Sequence, residues 1–332
     1  MADINTMGVD ADNGLVHAVI LDGKGGCREV GWPEVRSWTS EAGTIWVHLD
    51  RGDPNTQRWL KEESGLSTLA AEVMMEVETR PRAVPFRDGL LVILRGVNLN
   101  PGADPEDMVA LRIWIEKDRI ITMRSRRLMA IQDVRSALIE SHGPMDAPDL
   151  LISVANRMVE RMGPVVNDMG DMVDGLEDEL LVSESREIRS QLRELRREAI
   201  RLRRYLAPQR DALARLQQEE QPWLSNAHKL RLRETADRVL RIVEELDEMR
   251  ERAAIIQEEL MSRLSEQMNK TMYILTVVAS LLLPLSFITG LLGINVGGIP
   301  GADNHLGFAI VVVLMIVIGA AQYVIFRRLK WI

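Results

Sequence analysis

Three aspartates are spaced like metal ligands in the segment NDMGDMVDGLEDEL. Asp168, Asp171 and Asp174 recur every three residues, and residues 177–179 add further carboxylates. On a helix this spacing stacks the carboxylates on one face, where like charges repel unless a cation or a basic side chain lies among them. Oxygen ligands suit a hard divalent cation. The sequence therefore predicts either a cytoplasmic cation site or a solvated acidic face, and we favour the solvated face.

A second constellation lies in and just before an uncharged apolar run, residues 272–292. Side chains that include small, hydroxyl and amide groups recur there at helical spacing: Asn269, Met272, Leu275 or Thr276, Ala279 or Ser280, Leu283, Ser286 and Gly290. Ordinary helix packing is one explanation, because small and hydroxyl residues are common at helix contacts in membranes. The other is a pore stripe. A pore requires several copies of this helix around an axis, since two helices cannot enclose a channel.

The apolar run is followed by the uncommonly polar segment GLLGINVGGIPGADNHLG. Gly290 and Gly293 let the backbone turn there, and Asn295 offers an amide oxygen beside the turn. A ring of such oxygens from several copies would replace part of a cation's outer hydration. Only Asp303 and His305 remain in the segment to attract an ion. The segment therefore predicts the mouth of a pore that passes a largely hydrated cation.

The rest of the sequence predicts no other chemistry. No two of the five histidines have the spacing of metal ligands, and the single cysteine, Cys27, is not near any of them as a zinc motif requires. Zinc-protease, nucleophile-elbow and phosphate-loop motifs are absent, so we expect neither enzyme activity nor a cofactor. A net charge of −8 argues against nucleic-acid binding, which needs a basic surface.

Two uncharged runs, residues 272–292 and 306–326, have the length of membrane spans. About 20 helical residues cross a hydrocarbon core of about 30 Å. Arg263 and Lys270 precede the first run and basic residues at 327–330 follow the second, whereas the loop between them has no lysine or arginine. The positive-inside rule then places both termini in the cytoplasm and the loop outside. We expect a multi-pass protein of the inner membrane.

The N-terminal part predicts an α/β cytoplasmic domain. Five β-branched segments bounded by turns predict strands over 14–21, 44–50, 89–97, 108–117 and 119–125. Two amphipathic segments predict helices over 53–65 and 127–143. The segment GKGG at 23–26 has too few features for a nucleotide loop and predicts a hairpin turn.

A long helix follows. Residues 223–283 contain neither glycine nor proline and predict one helix of about 90 Å. Apolar side chains step along it by three or four residues, in a seam like that of a coiled coil: Ala236, Val239, Val243, Leu246, Met249, Ala253, Ile256, Leu260 and Leu264. A single helix cannot bury such a seam alone. The sequence therefore predicts that other subunits cover it.

These elements predict a linear domain plan. It consists of a cytoplasmic α/β domain at 1–145, a cytoplasmic helical arm at 146–222, a long stalk helix at 223–292 whose end is the first span at 272–292, an extracytoplasmic loop at 293–305, the second span at 306–326 and a basic cytoplasmic tail at 327–332.

The segment LTVVASLLLPLSFITGLLGIN, residues 275–295, resembles the CorA superfamily of divalent-cation channels and transporters. RPRAVPFRDGLLVILRG, residues 80–96, is similar to the N-terminal domain of that family. The resemblance implies a homopentameric funnel, in which an α/β cytoplasmic domain, a long stalk helix and two C-terminal transmembrane helices recur in each subunit. The family's Gly-Met-Asn signature reads Gly293-Ile294-Asn295 here, a form similar to the ZntB branch of zinc transporters.

Carried over by position, the resemblance places Asn295 in an ion-selecting ring at the extracellular mouth. It places pore-facing positions at Ser286, Leu283, Ala279, Leu275, Met272 and Asn269, the last three near a cytoplasmic constriction. The implied partners are further copies of the chain, the lipid bilayer, divalent cations and, if transport is coupled, protons. The implied ion is zinc, with cadmium, nickel, cobalt and magnesium as the other divalent candidates.

Two alternatives remain beside a zinc or broader divalent-cation transporter. One is a magnesium channel of the same architecture, which Ile294 and the weakly acidic loop disfavour. The other is a non-conducting membrane-anchored coiled-coil scaffold, which would need neither the Gly-Ile-Asn turn nor the stripe of small residues.

Overall fold

The computed structural model describes residues 14–77, 79–182, 186–294 and 305–329. The chain divides into two units, Met1–Gln257 and Glu258–Ile332. The first contains a β-sheet and most of the helices, and the second contains the C-terminal apolar helices. This is the predicted combination of an α/β domain, a long helix and two C-terminal apolar helices.

In the described part of the first unit, one mixed sheet has the strand order β2-β1-β3-β7-β6-β5-β4. The strands are β1 Leu15–Leu21, β2 Cys27–Val30, β3 Ile45–Asp50, β4 Arg82–Pro85, β5 Leu90–Gly96, β6 Val109–Ile115 and β7 Arg119–Arg124. The central pair β3 and β7 is parallel, and the other neighbours are antiparallel. All five predicted strands are present. The short strands β2 and β4 were not predicted.

The GKGG segment forms the predicted hairpin turn between β1 and β2. The backbone N–H of Asp22 donates to the carbonyl of Gly26 at 3.0 Å, and the Asp22 carboxylate accepts from the backbone N–H of Lys24 at 2.7 Å. Gly23 and Gly25 have φ values of 70° and 97°, a region that glycine adopts without steric cost. The turn therefore sets the register of the first hairpin.

The helices occupy the segments between and after the strands. They are α1 Trp32–Ser37, α2 Pro54–Glu62, α3 Thr68–Met75, α4 Met129–Ile139, α5 Ala147–Glu160, α6 Met162–Val182, α7 Arg186–Gln218, α8 Asn226–Leu292 and α9 Gly307–Arg328. The predicted helices at 53–65 and 127–143 correspond to α2 and α4. Asp53 and Asp146 cap α2 and α5 by accepting from backbone N–H groups at 2.7 and 2.8 Å.

The seam of α8 is buried inside its own chain. Val239, Leu246 and Ala253 are fully buried. On α8, Thr235 bonds to Asn156 of α5, Arg252 pairs with Glu177 of α6, and Asp247 pairs with Arg203 of α7, at 2.5, 2.7 and 2.7 Å. The prediction that other subunits must cover the seam is therefore wrong for residues 236–256.

The physical reason is the folding back of the preceding helices. Along α7 and α8 the contacts run in opposite directions, since Arg196 bonds to Gln257 and Arg203 to Asp247, so these helices are antiparallel. Both α6 and α7 have apolar faces of their own, with residues such as Val173 and Leu195 fully buried. Three amphipathic helices can thus close a common core within one chain.

Candidate functional site

In the second unit, the end of α8 and all of α9 are long and apolar enough to cross a membrane. Almost none of their side chains is buried and about two thirds are exposed, including Phe287 at 70%. A core helix of a soluble protein would instead be mostly buried. Segments that pack against lipid or other subunits are expected to remain uncovered in this way within a single chain.

One face of α8 in this unit is partly covered. The half-buried positions recur at helical spacing: Val277, Ala279, Ser280, Leu281, Pro284, Leu285 and Ile288. The predicted stripe lies largely on the other side of the helix. Leu283 and Ser286 are exposed and follow Leu281 and Pro284 by two residues, which is a rotation of about 200°. The single chain therefore leaves most of the predicted stripe uncovered.

The other stripe residues follow the same division. Asn269, Met272, Leu275, Thr276 and Gly290 are exposed, whereas Ala279 is half-buried. The hydroxyl of Thr276 donates to the backbone carbonyl of Met272 at 2.8 Å, as is common for threonine in helices. Its lone pairs remain available to accept hydrogen bonds. Whether these positions line a pore stays a prediction at this point.

The α8 helix ends where the predicted mouth begins. The backbone N–H of Gly293 donates to the carbonyls of Thr289 and Gly290 at 2.9 and 3.2 Å. A Cβ at this position would lie 3.0 Å from the Thr289 carbonyl oxygen, closer than most Cβ contacts. Ile294 is exposed directly after this glycine. The signature thus starts at a tightly closed helix terminus.

The remaining mouth residues are only partly described. Asn295 and Asp303 lie outside the described residues. His305 is exposed, two residues before α9 begins at Gly307. The structure therefore places the Gly-Ile part of the signature and the histidine, and the roles of Asn295 and Asp303 rest on the sequence.

The three predicted aspartates lie on α6. Asp174 and Glu177 both accept hydrogen bonds from the guanidinium of Arg252 on α8, at 2.5 and 2.7 Å. These hydrogen bonds raise the pKa of Arg252, and the largest contribution comes from Glu177. Asp168 and Asp171 are exposed. A basic side chain thus compensates part of the acidic face, and Asp168 and Asp171 face solvent.

A different acidic group comes together at the start of α5. Ligand atoms of Asp146, Asp149 and His228 lie within 4.8 Å of one another. Their hydrogen-bonding capacity is largely used, however. Asp146 caps α5, Arg231 binds Asp149, and His228 Nδ1 accepts from the backbone N–H of Ser225 at 3.3 Å. His228 Nε2 lies 3.9 Å from an oxygen of each of the two carboxylates. The group is explained as a structural cluster that ties α8 to α5.

Strand pairing produces a histidine pair that the sequence pattern did not reveal. His17 of β1 is opposite His48 of β3, with ring centroids 4.9 Å apart, and Trp46 packs edge-on against His17. The two histidines are 31 residues apart in the sequence, so their spacing did not indicate that they pair across the sheet. Burial, followed by the charges of Arg135 and Arg124, lowers the pKa of His17 to about 3. Burial also lowers the pKa of His48 well below its usual value, so both rings are neutral core groups.

This pair predicts a loss of stability in mild acid. Above the usual histidine pKa of 6.5 both rings are neutral in the folded and unfolded states. Below it the unfolded chain binds protons that the folded chain rejects, so stability falls by up to about 1.4 kcal/mol per pH unit for each ring. We expect His17→Gln to flatten the pH dependence of thermal unfolding of the full-length protein between about pH 7 and 5.

The matched control is the exposed His142. His142→Gln is expected to leave the slope of the unfolding temperature against pH unchanged. An identical slope in wild type and His17→Gln would contradict the assignment of His17 as a buried neutral group.

The match to known proteins extends over nearly the whole chain. A family model described as "CorA-like Mg2+ transporter protein" matches residues 41–328. The chain is 40% identical over 324 residues to the divalent cation transporter CmaX of Pseudomonas aeruginosa, covering 97% of this chain and 98% of that protein. It is 35% identical over 321 residues to the zinc transport protein ZntB of Pectobacterium carotovorum, covering 96% and 97%.

Two solved structures share the architecture. The full-length CmaX structure superposes with a TM-score of 0.86 at 39% identity, covering 98% of this chain and 100% of that one. The CorA magnesium transporter of Methanocaldococcus jannaschii superposes with a TM-score of 0.81 at 22% identity, covering 96% and 99%, which is a likeness of fold. Sheet, long helix and paired apolar helices thus recur together in solved chains.

Proposed function

Because the chain belongs to the CorA-like Mg2+ transporter family and is a divalent cation transporter, we propose that it carries zinc and related divalent cations across the bacterial inner membrane. The pathway is a pore along the axis of a homopentamer, with one copy of the α8 stripe from each subunit. The Gly293-Ile294-Asn295 turn forms the outer mouth.

The observation that supports this pore is the uncovered stripe on α8. Large apolar side chains can face lipid, but a polar group such as the Ser286 hydroxyl needs a hydrogen-bonding partner or water inside a membrane. Several copies of the helix around an axis would supply that water. Small and hydroxyl residues on the axial side leave room for a cation that keeps most of its hydration shell.

The preference for zinc rests on the mouth and on relatives. The signature has Ile294 in place of methionine, and the adjoining loop carries one carboxylate, Asp303. Relatives named zinc transport protein ZntB share 32–35% identity with this chain. A magnesium channel is the second candidate, because the description of the family model names Mg2+.

The membrane orientation follows from charge. The basic residues Arg327 and Arg328 end α9, and Arg263 and Lys270 precede the first span. Both termini are then cytoplasmic by the positive-inside rule. The span at 272–292 contains no ionisable carboxylate, imidazole or amine to relay protons. Coupling to protons would therefore have to use Asp303, His305 or the cytoplasmic carboxylates.

The test is flux into liposomes that contain the purified full-length protein. Zinc, cadmium, nickel, cobalt and magnesium are offered separately, with and without a proton gradient, and empty liposomes give the background. We expect zinc flux above background. Magnesium flux without zinc flux would favour the second candidate, and flux of none of these cations would contradict both. An effect of the proton gradient on the zinc rate would indicate coupling.

A further inference from the structure

A basic cavity lies beside the sheet in the described part of the first unit. Its volume is about 270 Å³. It is lined by residues of β5, β6 and α7 and by the segments that follow α3, precede β6 and follow β7. The charged and aromatic members of the lining are Arg95, Arg112, Arg126, Glu106, Asp107 and Tyr205.

Arg112 is the unusual member of this lining. It lies in the middle of β6 and is 1% exposed. Its Nη2 donates to the backbone carbonyls of Glu76 and Val77 at 2.5 and 3.3 Å. Its Nε and Nη1 have no hydrogen-bond partner among the described residues. Buried arginines are normally paired, and a buried donor without a partner is rare in folded proteins.

Neighbouring arginines add to the positive charge. Arg95 on β5 donates to the carbonyls of Thr79 and Met108 at 2.8 Å each, and its guanidinium lies 4.0 Å from the centre of the Tyr205 ring. Burial, followed by the charges of Arg51 and Arg95, lowers the pKa of Arg112 to about 10. Arg112 therefore remains charged at neutral pH, inside a group of like charges.

The carboxylates at the cavity are already bound to other arginines. Glu106 pairs with Arg201 of α7 at 3.2 Å, and Asp107 lies 3.9 Å from Arg126. The nearby Glu76 carboxylate pairs with Arg82 at 2.8 Å. Among the described residues, Arg112 consequently has carbonyl partners but no paired carboxylate. An anion from solution would supply the acceptors that the described residues do not offer to its free donors.

We propose that this cavity binds a small free oxyanion of the phosphate type. Its oxygens accept hydrogen bonds from the free guanidinium nitrogens of Arg112, while Arg95 and Arg126 add positive charge. Guanidinium groups are well matched to phosphate oxygens, and such charge-assisted bonds are among the stronger ones in proteins. The volume is slightly below the range of roughly 300–1,000 Å³ in which drug-sized ligands bind, which favours a small anion over a whole nucleotide.

Binding would connect the sheet to the helical layer. Arg112 and Arg95 belong to the sheet, whereas Tyr205 belongs to α7, which also contacts α8 through Arg203 and Asp247. An anion that binds only the folded unit stabilises it in proportion to the logarithm of its concentration. This inference stands whether or not the proposed zinc transport is correct, because its readout is anion binding.

The experiment is a thermal-unfolding titration of the full-length protein in detergent, without divalent cations and at constant ionic strength. Inorganic phosphate, ATP and chloride are titrated separately, and isothermal calorimetry supplies the phosphate dissociation constant. We expect a saturable rise of the unfolding temperature with phosphate and none with chloride. A response to ATP without one to phosphate would overturn the assignment of a small free anion, as would the absence of any saturable response.

Three variants make the test specific to the cavity. Arg112→Met keeps the length of the side chain without its charge and is expected to weaken phosphate binding by about tenfold or more. Arg126 lies at the exposed edge of the cavity, so Arg126→Gln is expected to weaken phosphate binding less. This variant still tests the cavity if Arg112→Met does not fold. Arg119→Met removes a partly buried arginine that does not line the cavity and is expected to bind phosphate normally. Unchanged affinity in both Arg112→Met and Arg126→Gln would overturn the proposal.

Discussion

Replacing Asn295 with alanine is expected to reduce zinc flux in liposomes to the level of empty vesicles, while the protein still forms its oligomer. The proposed ring of amide oxygens at the outer mouth takes over part of the cation's outer hydration, and alanine offers no such oxygen. The change removes no backbone group, so α8 and its closed terminus at Gly293 keep their structure. The measurement is flux alongside light scattering or size-exclusion chromatography of the same preparation.

A second asparagine in the same loop supplies the control. Asn304 adjoins Asp303 but is not part of the Gly-Ile-Asn signature. Asn304→Ala is expected to transport at a rate close to that of the wild type. Either normal transport by Asn295→Ala or an equal loss of transport in both variants would contradict the proposed role of the Asn295 amide.

Replacing Leu246 with alanine is expected to lower the free energy of unfolding by about 2–5 kcal/mol, the range for large-to-small changes in a packed core. Leu246 lies in the middle of the α8 seam and is 1% exposed within its own chain. Its removal leaves a cavity between α8 and the helices that cover it. The measurement is denaturant or thermal unfolding of the full-length protein in detergent.

The same helix contains the control. Leu230 on α8 is 68% exposed, so Leu230→Ala is expected to change stability by no more than about 0.5 kcal/mol. Because the seam is closed inside one chain, the loss in Leu246→Ala is also expected to be independent of protein concentration. A loss that disappears as the oligomer dissociates would instead show that other subunits bury the seam.

Much of the fold could be predicted because its elements are strongly patterned. The buried strands are β-branched runs bounded by turns, and α8 up to residue 283 is free of glycine and proline and carries a regular apolar seam. The strand order could not be predicted, since the parallel pairing of β3 with β7 joins segments far apart in sequence. The strands β2 and β4 have four residues each, too few to show an alternating pattern.

The sequence also did not indicate which helices cover the apolar seam of α8. A heptad-like pattern shows that an apolar face must be buried but not which helix buries it. The same pattern fits a coiled coil between subunits and a helical layer within one chain. Contacts such as Arg203–Asp247 decide between them, and such long-range pairs leave no local signal in the sequence.

Two buried polar features did leave a signal. His48 and Arg112 are polar residues within the largely apolar strands IWVHLD and VALRIWI. A polar residue in a strand buried on both faces must meet a partner or remain unsatisfied. Such residues therefore indicate a buried polar feature, which is the histidine pair for His48 and the basic cavity for Arg112.

The closure of the seam within one chain has a consequence for biogenesis. Residues Met1–Gln257 are synthesised before the apolar part of α8 and all of α9, and N-terminal domains generally fold first during synthesis. A unit that needs no second copy to bury its helices can fold while the ribosome is still completing the chain. The segments that would aggregate in water then emerge after this unit. Folding, insertion and assembly are thereby expected to occur as successive events, in that order.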